Sequence, residues 1–307
     1  MDKITLRSPA TIANLSCGFD ILGVCLNEPY DEITISKNAS KKVIIHSLDS
    51  EFSNIPTIPE KNTGGVPAQL IMNDLNLGFG FDIFIKKGIP LCGGLGSSAA
   101  TAAGVAYGIN KLLNNKFSED EVVRYALEGE KLTSDSPHAD NIGPCITGGL
   151  LIIKSTNPLE LIKVKTSNMY FSIIHPDVKV DTKTARRMLP EKVYLKDAIK
   201  QWGNVAALTY GFSSNNFDMI KSAMSDVIIE PIRSKLIPYF KDIKTASLQS
   251  GSIGCSISGS GPSIFSLSET KNDAAKVLGN MEKILIDNGI KFHSYISSIN
   301  QEGITIV

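Results

Sequence analysis

The sequence lacks the patterns that mark several large classes of protein. Its 31 lysines and arginines balance 31 aspartates and glutamates, so it offers no surplus of positive charge for nucleic acid. The five cysteines include no C-x-x-C pair, and the four histidines include no H-E-x-x-H, which disfavours a disulfide framework and a zinc site. Neither G-x-x-x-x-G-K-[ST] nor G-x-S-x-G occurs. A P-loop nucleotidase and a serine hydrolase are therefore not expected.

A membrane span and a secretory leader are also not expected. Residues 88–110 and 245–268 carry no charge, but glycine, serine and proline interrupt both stretches. A span needs about 20 mostly apolar residues. Met1–Thr5 does not begin an apolar leader segment. We expect a cytoplasmic protein with reduced cysteines and no membrane or nucleic-acid partner, and the two uncharged stretches need another explanation.

The residues that are present predict a folded chain with irregularly alternating strands and helices. Hydrophobic residues make up 42 % of 307, enough for two domains or one large α/β unit. Strand pairs near the start favour an α+β fold with antiparallel pairing. The segment 156–159, in the middle of the chain, is the expected position of a domain boundary. The main predicted elements are strands at 31–36 and 42–46 around a turn, a helix at 97–113, a helix from a Ser118–Glu121 capping box to about 132, a polar loop at 133–144, and a glycine/serine region at 246–249 and 253–258.

The most informative stretch is a glycine-rich loop followed by an alanine-rich helix. Its glycines allow backbone N–H groups to face a ligand, and a helix N-terminus favours phosphate. Serine hydroxyls there can donate to phosphate or bind Mg²⁺. A plain strand-to-helix turn with a serine N-cap remains the alternative. The stretch consists of Pro90, Leu91, Cys92, Gly93, Gly94, Leu95, Gly96, Ser97, Ser98, Ala99 and Ala100.

Three segments together resemble the motifs of the GHMP kinases. Pro90–Ala100 resembles their P-x-x-x-G-L-G-S-S-A loop, Ser8–Gly23 resembles an opening P-A-T-x-A-N motif that ends in G-F-D, and Ser250–Ser263 resembles their C-terminal S-G-S-G-P-[ST] motif. His138–Asn141 and Glu230–Pro238 resemble motifs of the branch that phosphorylates L-homoserine. The chain departs from the family at Ser16, where glycine is usual, and at Gly64-Gly65, where larger residues are common.

The resemblance implies an α+β, two-domain GHMP kinase fold. The N-terminal, ATP-binding domain would be of the ribosomal S5 domain 2-like type and cover residues 1–155. The C-terminal domain would be ferredoxin-like and cover residues 156–307. Nucleotide would lie between them, and the family commonly forms homodimers.

The resemblance also implies a reaction and its residues. The reaction is transfer of the ATP γ-phosphoryl group to the hydroxyl of L-homoserine with Mg²⁺, a step of threonine biosynthesis. Residues 90–100 and Asn62 would bind the nucleotide, and Ser98 and Glu130 would hold Mg²⁺. Asn141, Thr182 and Asp140 would serve catalysis, although the identity of any base stays open. Substrate would contact Asn14, Asp20, His138, Asn141, Arg186 and Arg233.

Three other functions remain as alternatives. Another GHMP kinase could phosphorylate mevalonate, a sugar or a nucleoside-linked alcohol. A catalytically silent sensor could use the same fold, but it would not need Ser98 and Glu130 together. A purely structural protein would leave the two uncharged stretches unexplained.

Overall fold

The computed structural model describes residues 1–133 and 139–307, and within these ranges eleven strands form two sheets, one of seven strands and one of four. The larger sheet is built around two long strands that pair antiparallel along most of their length. Their apolar residues point into the main core, where Leu6, Ile12, Ile33 and Ile35 are fully buried. Its strands are β1 (Lys3–Ala13), β2 (Leu22–Asn38), β3 (Val43–Ser47), β4 (Gly80–Lys86), β5 (Leu150–Thr156), β6 (Leu159–Val164) and β11 (Thr305–Ile306).

Four helices cover this sheet. The second is rich in alanine and glycine, which lets it pack closely on β1 and β2: a Cβ at Gly104 would lie 2.5 Å from Ile33. Ser118 caps the third through the predicted capping box with Glu121. The helices are α1 (Gly65–Asp74), α2 (Ser97–Leu112), α3 (Glu119–Glu130) and α4 (Ala139–Thr147).

The second sheet is antiparallel, in the order β10-β7-β9-β8, and two helices pack against it. The strands are β7 (Tyr170–Pro176), β8 (Gly254–Ile257), β9 (Ile264–Ser268) and β10 (Phe292–Ser298). The packed helices are α9 (Phe240–Gln249) and α10 (Lys271–Asp287). Between β7 and α9 the chain forms α5 (Thr182–Arg187), α6 (Leu195–Ser214), α7 (Phe217–Ala223) and α8 (Glu230–Arg233).

The two-domain α+β architecture is confirmed, but the expected boundary at 155/156 lies inside a hairpin. Strands β5 and β6 pair with each other, and β5 pairs with β2, so the larger sheet continues to Val164. The last strand, β11, returns to pair with β1. The second sheet begins only at Tyr170. The N-terminal unit therefore extends past the predicted boundary and recovers two residues from the end of the chain.

Two local predictions were wrong because tertiary packing overrode local signals, and one strand order was not predicted. Residues 139–144 were predicted to be loop, but they belong to α4, whose Ile142, Cys145 and Ile146 are buried despite Pro144 inside the helix. Residues 134–138 of that loop lie outside the described ranges. Residues 246–249 end helix α9 rather than starting a glycine/serine region. Strands β2 and β3 are neighbours in sequence, yet β4 lies between them and pairs parallel with β3.

No helix in the described part of the chain is long and apolar enough to cross a membrane.

Candidate active site

A cavity of about 480 Å³ lies where the two sheets meet. One end is formed by the glycine-rich loop and the start of α2, and the other by the turn after β1 and helices α5 and α8. Most predicted site residues line it, including Asn14, Asp20, Asn62, Leu91, Cys92, Gly93, Gly94, Gly96, Ser97, Ser98, Glu130, Asp140, Asn141, Thr182 and Arg233.

The glycine-rich loop has a backbone that only glycine accommodates easily. Gly94 and Gly96 have φ values of 74° and 68°. A Cβ at Gly94 would lie 2.3 Å from the Ser258 carbonyl, and one at Gly96 would lie 2.2 Å from the Thr11 hydroxyl. Helix α2 begins directly afterwards at Ser97, so its unpaired N–H groups and positive dipole end face the cavity.

Part of the predicted nucleotide loop belongs to the core rather than to the cavity. The side chains of Leu95, Ala99 and Ala100 are fully buried. The Ala100 N–H already donates to the Gly96 carbonyl, and its carbonyl accepts from Ser8. These residues, with the buried Pro90, fix the loop from behind and do not line the cavity.

The second uncharged stretch closes against the first. The Ser258 hydroxyl donates to the Gly94 carbonyl over 2.6 Å, and the Ser263 N–H donates to the Gly93 carbonyl over 3.2 Å. The Ser263 hydroxyl and His175 Nδ1 lie 3.1 Å apart. Burial lowers the pKa of His175 to about 4, and His293 adds to the effect. The two stretches lack charge because they pack on each other, backbone to backbone, around the cavity.

The side-chain oxygens of Ser98 and Glu130 meet beside the start of α2. The Ser98 hydroxyl donates to Glu130 Oε1 over 2.9 Å, and Thr133 donates to the same oxygen over 3.0 Å. Glu130 is 4 % exposed and both Ser98 and Glu130 line the cavity. No cluster of three or more His, Cys, Asp or Glu suited to a metal occurs within residues 1–133 and 139–307. A hydroxyl and a carboxylate fit Mg²⁺, which keeps water and phosphate oxygens as its other ligands.

Opposite charges lie at the other end of the cavity. The Arg186 guanidinium pairs with the Asp20 carboxylate at 2.7 Å. The Asn14 amide and Arg233 Nη1 both donate to the Gly259 carbonyl, over 3.0 and 2.9 Å. Asp20 N–H in turn donates to the Asn14 side-chain oxygen over 3.1 Å. Arg187, the next residue in the chain, is exposed.

Arg233 is a buried cation with spare donor capacity. It is 4 % exposed, and burial lowers its pKa to about 10, so it stays charged at neutral pH. Its Nε finds no acceptor among the described residues. Its guanidinium carbon lies 4.9 Å from the centre of the Phe19 ring, and that of Arg186 lies 5.1 Å from the same ring. A planar cation held in this way suits a carboxylate ligand.

The predicted catalytic residues lie between these two ends. Asp140 and Asn141 start helix α4, where the Thr11 hydroxyl donates to the Asn141 side chain over 2.7 Å. Thr182 starts α5, 3.3 Å from the Ser260 hydroxyl. Asn62 lines the cavity, but its side-chain NH₂ donates to the Pro56 carbonyl, and its side-chain oxygen accepts from the N–H groups of Gly64 and Gly65. These hydrogen bonds hold the backbone of the cavity wall. His138 lies outside the described residues.

Sequence reasoning missed Lys87. Its ammonium pairs with Asp31 and donates to the Ser97 carbonyl over 2.8 Å and to Thr101 over 3.0 Å. Burial raises the pKa of Asp31, an effect that Lys87 opposes. Lys87 lines the cavity next to the glycine-rich loop. The available signal was its position as the last charge before the long uncharged stretch.

Comparison with known proteins agrees with this geometry. Residues 66–149 match the family described as GHMP kinases N terminal domain, and residues 206–287 match GHMP kinases C terminal. The chain is 37 % identical to homoserine kinase of Chlorobium phaeobacteroides strain BS1 over 320 aligned positions, which cover both chains fully. It is 38 % identical to homoserine kinase of Methanococcus maripaludis strain C5, with 87 % of this chain and 88 % of that one covered.

Solved structures give the same result. The crystal structure of homoserine kinase from Cytophaga hutchinsonii superposes with a TM-score of 0.96 at 42 % identity, covering 100 % of this chain and 98 % of that one. Mevalonate kinase of L. major, at 13 % identity and a TM-score of 0.73, shares the fold alone. With full-length relatives above 30 % identity and both family domains present, the chain belongs to the homoserine kinase family of GHMP kinases.

Proposed function

We propose that the protein transfers the γ-phosphoryl group of ATP to the side-chain hydroxyl of L-homoserine. The products are ADP and O-phospho-L-homoserine, an intermediate of threonine biosynthesis. The observation that carries the proposal is a cavity lined by the glycine-rich loop and by Asp20 and Arg233, with Arg186 paired to Asp20. The names of the full-length relatives support the same substrate.

The cradle end binds the triphosphate. Backbone N–H groups of Gly94 and Gly96 and the start of α2 supply donors without side-chain obstruction. Ser98 and Glu130 would hold Mg²⁺, which would supply positive charge to the phosphate oxygens. Lys87 adds a buried positive charge next to the loop.

The opposite end recognises the amino-acid zwitterion. Arg186 and Arg233 bind the carboxylate, and Asp20 and Asn14 accept the ammonium and orient the chain.

The transfer itself needs positioning more than activation. A bond forms between the homoserine oxygen and the γ-phosphorus as the bond to the bridging oxygen of ADP breaks. Asn141 and Thr182 contact the phosphoryl group as it is transferred. The loose transition state needs little activation of the hydroxyl by a base. The hydroxyl proton goes either to Asp140 or to a phosphoryl oxygen. Asp140→Asn separates the two routes, because turnover is lost only if this carboxylate takes the proton.

The test is ADP release with Mg-ATP across L-homoserine, mevalonate, galactose and L-threonine. Turnover confined to L-homoserine, with the phosphorylated product identified by mass spectrometry, supports the proposal. Turnover with another alcohol keeps the phosphate cradle and discards the substrate. Binding of ATP with no turnover of any alcohol favours the sensor alternative.

The proposal includes a cytoplasmic homodimer. One face of α6 carries large apolar residues that nothing covers, with Leu195 67 % and Trp202 63 % exposed. The opposite face of the same helix is buried at Ala198, Leu208 and Phe212. A self-complementary stripe of this kind suits antiparallel packing on a second copy. The exposed stripe comprises Leu195, Ile199, Trp202, Ala206 and Tyr210.

The five cysteines, all unpaired and all within the described residues, suit a reducing compartment.

A further inference from the structure

Gln201 occupies a buried position that no motif of the sequence indicated. It lies on the inner face of α6 and is 7 % exposed. Its amide NH₂ donates to the Cys17 carbonyl over 2.8 Å and to Asp226 Oδ1 over 2.9 Å, and its amide oxygen accepts from the Val227 N–H over 3.1 Å. The partners fix the orientation of the amide, because two acceptors require the NH₂ and one donor requires the oxygen.

The first partner belongs to the turn that carries one side of the amino-acid pocket. Cys17 lies between Asn14 and Asp20, and this turn returns on itself through left-handed residues. The Gly18 N–H donates to the Asn14 carbonyl, and the Asp20 N–H donates to the Asn14 side chain. A displacement at Cys17 is therefore transmitted to Asp20.

The second partner belongs to the segment that carries the other side. The Asp226 carboxylate accepts from the N–H groups of Ile228, Ile229 and Glu230, each over 2.9 Å. It caps the short helix α8, and the Arg233 N–H donates to the Ile229 carbonyl within the same turn. The position of Arg233 therefore depends on Asp226.

We propose that Gln201 is a positioning residue that holds Asp20 and Arg233 at the separation that one amino-acid substrate spans. It lies outside the cavity lining and acts through Cys17 and Asp226. Only glutamine combines the reach and the two donors: glutamate has no donor and would repel Asp226, and asparagine is one carbon shorter. The inference rests on the proposed function, because it assigns both residues to the same bound zwitterion.

The test compares Gln201→Asn and Gln201→Met with a control on the same helix. Asn204→Ala removes a hydrogen bond of 2.6 Å to the carbonyl of Ser225, the residue before Asp226. It leaves the hydrogen bonds from Gln201 to Cys17 and Asp226 in place. We expect KM for L-homoserine to rise about 10-fold or more in both Gln201 variants, because small misplacements of binding groups are costly. KM for ATP should stay within about twofold of wild type, and Asn204→Ala should leave both KM values unchanged.

Equal KM values for wild type and the Gln201 variants, or equal rises for both substrates, would overturn the inference. Gln201→Asn keeps an amide in a buried site, so it decides the question if Gln201→Met does not fold. Hydrogen exchange at residues 14–20 and 226–233 provides a readout that does not need turnover. If the Gln201 variants exchange hydrogen faster in both segments, the result supports the proposal that Gln201 links them. If exchange at residues 14–20 does not become faster, the result overturns it. If the wild-type protein does not phosphorylate L-homoserine, the proposed function is refuted instead.

Discussion

The Ser98 hydroxyl donates to Glu130 across 2.9 Å, although 32 residues separate them in the chain. One residue starts α2 and the other ends α3, so the packing of these two helices builds the pair. It lies at the phosphate end of the cavity, where a divalent cation would accompany ATP.

Glu130→Ala should therefore abolish turnover and leave the fold intact. We expect a loss of about 100-fold or more in kcat/KM, because the carboxylate is one of two protein oxygens available to Mg²⁺. The measurement is initial rate against Mg²⁺ concentration, with circular dichroism to check folding. Glu128→Ala is the control and should retain activity, because Glu128 lies on the exposed side of α3 and pairs only with Lys131 at the surface. Near-wild-type rates in Glu130→Ala would remove the metal assignment.

Arg186 and Arg187 offer a matched pair for the substrate carboxylate. Arg186 pairs with Asp20 at the cavity, and Arg187 is exposed. Arg186→Ala should raise KM for L-homoserine about 10- to 100-fold, which corresponds to loss of a hydrogen bond to a charged group, about 1.5–3 kcal/mol. Arg187→Ala should change it little. The reverse order in steady-state kinetics would show that the wrong arginine was chosen.

Ser16→Gly should stabilise the protein. Ser16 has a φ of 71°, and its buried hydroxyl has no hydrogen-bond partner among the described residues. Glycine removes the strain and the unpaired hydroxyl, and the gain exceeds its extra unfolded-state entropy. We expect about 1 kcal/mol, which raises the melting temperature by about 2 °C for a chain of this size. Differential scanning calorimetry measures it, and a lower melting temperature would contradict the prediction.

His175 should make the protein less stable in mild acid. Burial lowers its pKa to about 4, below the ordinary histidine value, so the unfolded chain binds the proton more readily. Its contribution is fully present above about pH 6.5 and is lost as pH falls toward 4. The loss is on the order of 3 kcal/mol. Urea denaturation at pH 7 and pH 5 should show a smaller difference in His175→Gln than in wild type, whereas His46→Gln, at a partly exposed site, should behave as wild type.

Trp202→Glu should convert a dimer into a monomer. The indole is 63 % exposed in the centre of the α6 stripe, where a buried aromatic residue would contribute strongly to an interface. Light scattering after size exclusion measures the mass of the wild-type and variant chains. Lys200→Gln, on the same helix but outside the stripe, lowers the net charge by the same single unit and is the control. A monomeric wild type would refute the homodimer.

The sequence by itself determined the local backbone features of the glycine-rich loop and of helix α3. The glycines at 93, 94 and 96, the serines at 97 and 98 and the capping box at Ser118 act through local backbone geometry, which sequence encodes directly. The resemblance to a known family supplied the two-domain fold and the substrate. Periodicity found most strands and helices, since their apolar spacing depends only on near neighbours.

Tertiary structure decided the features that join distant segments. The insertion of β4 between β2 and β3, the burial of α4 despite Pro144, and the return of β11 to β1 all depend on contacts far apart in the chain. The same holds for the Lys87–Asp31 pair, the Arg186–Asp20 pair, and the link from Gln201 to Cys17 and Asp226. Such pairings arise when the fold closes and buried polar groups must find partners, and no local pattern records which partners those will be.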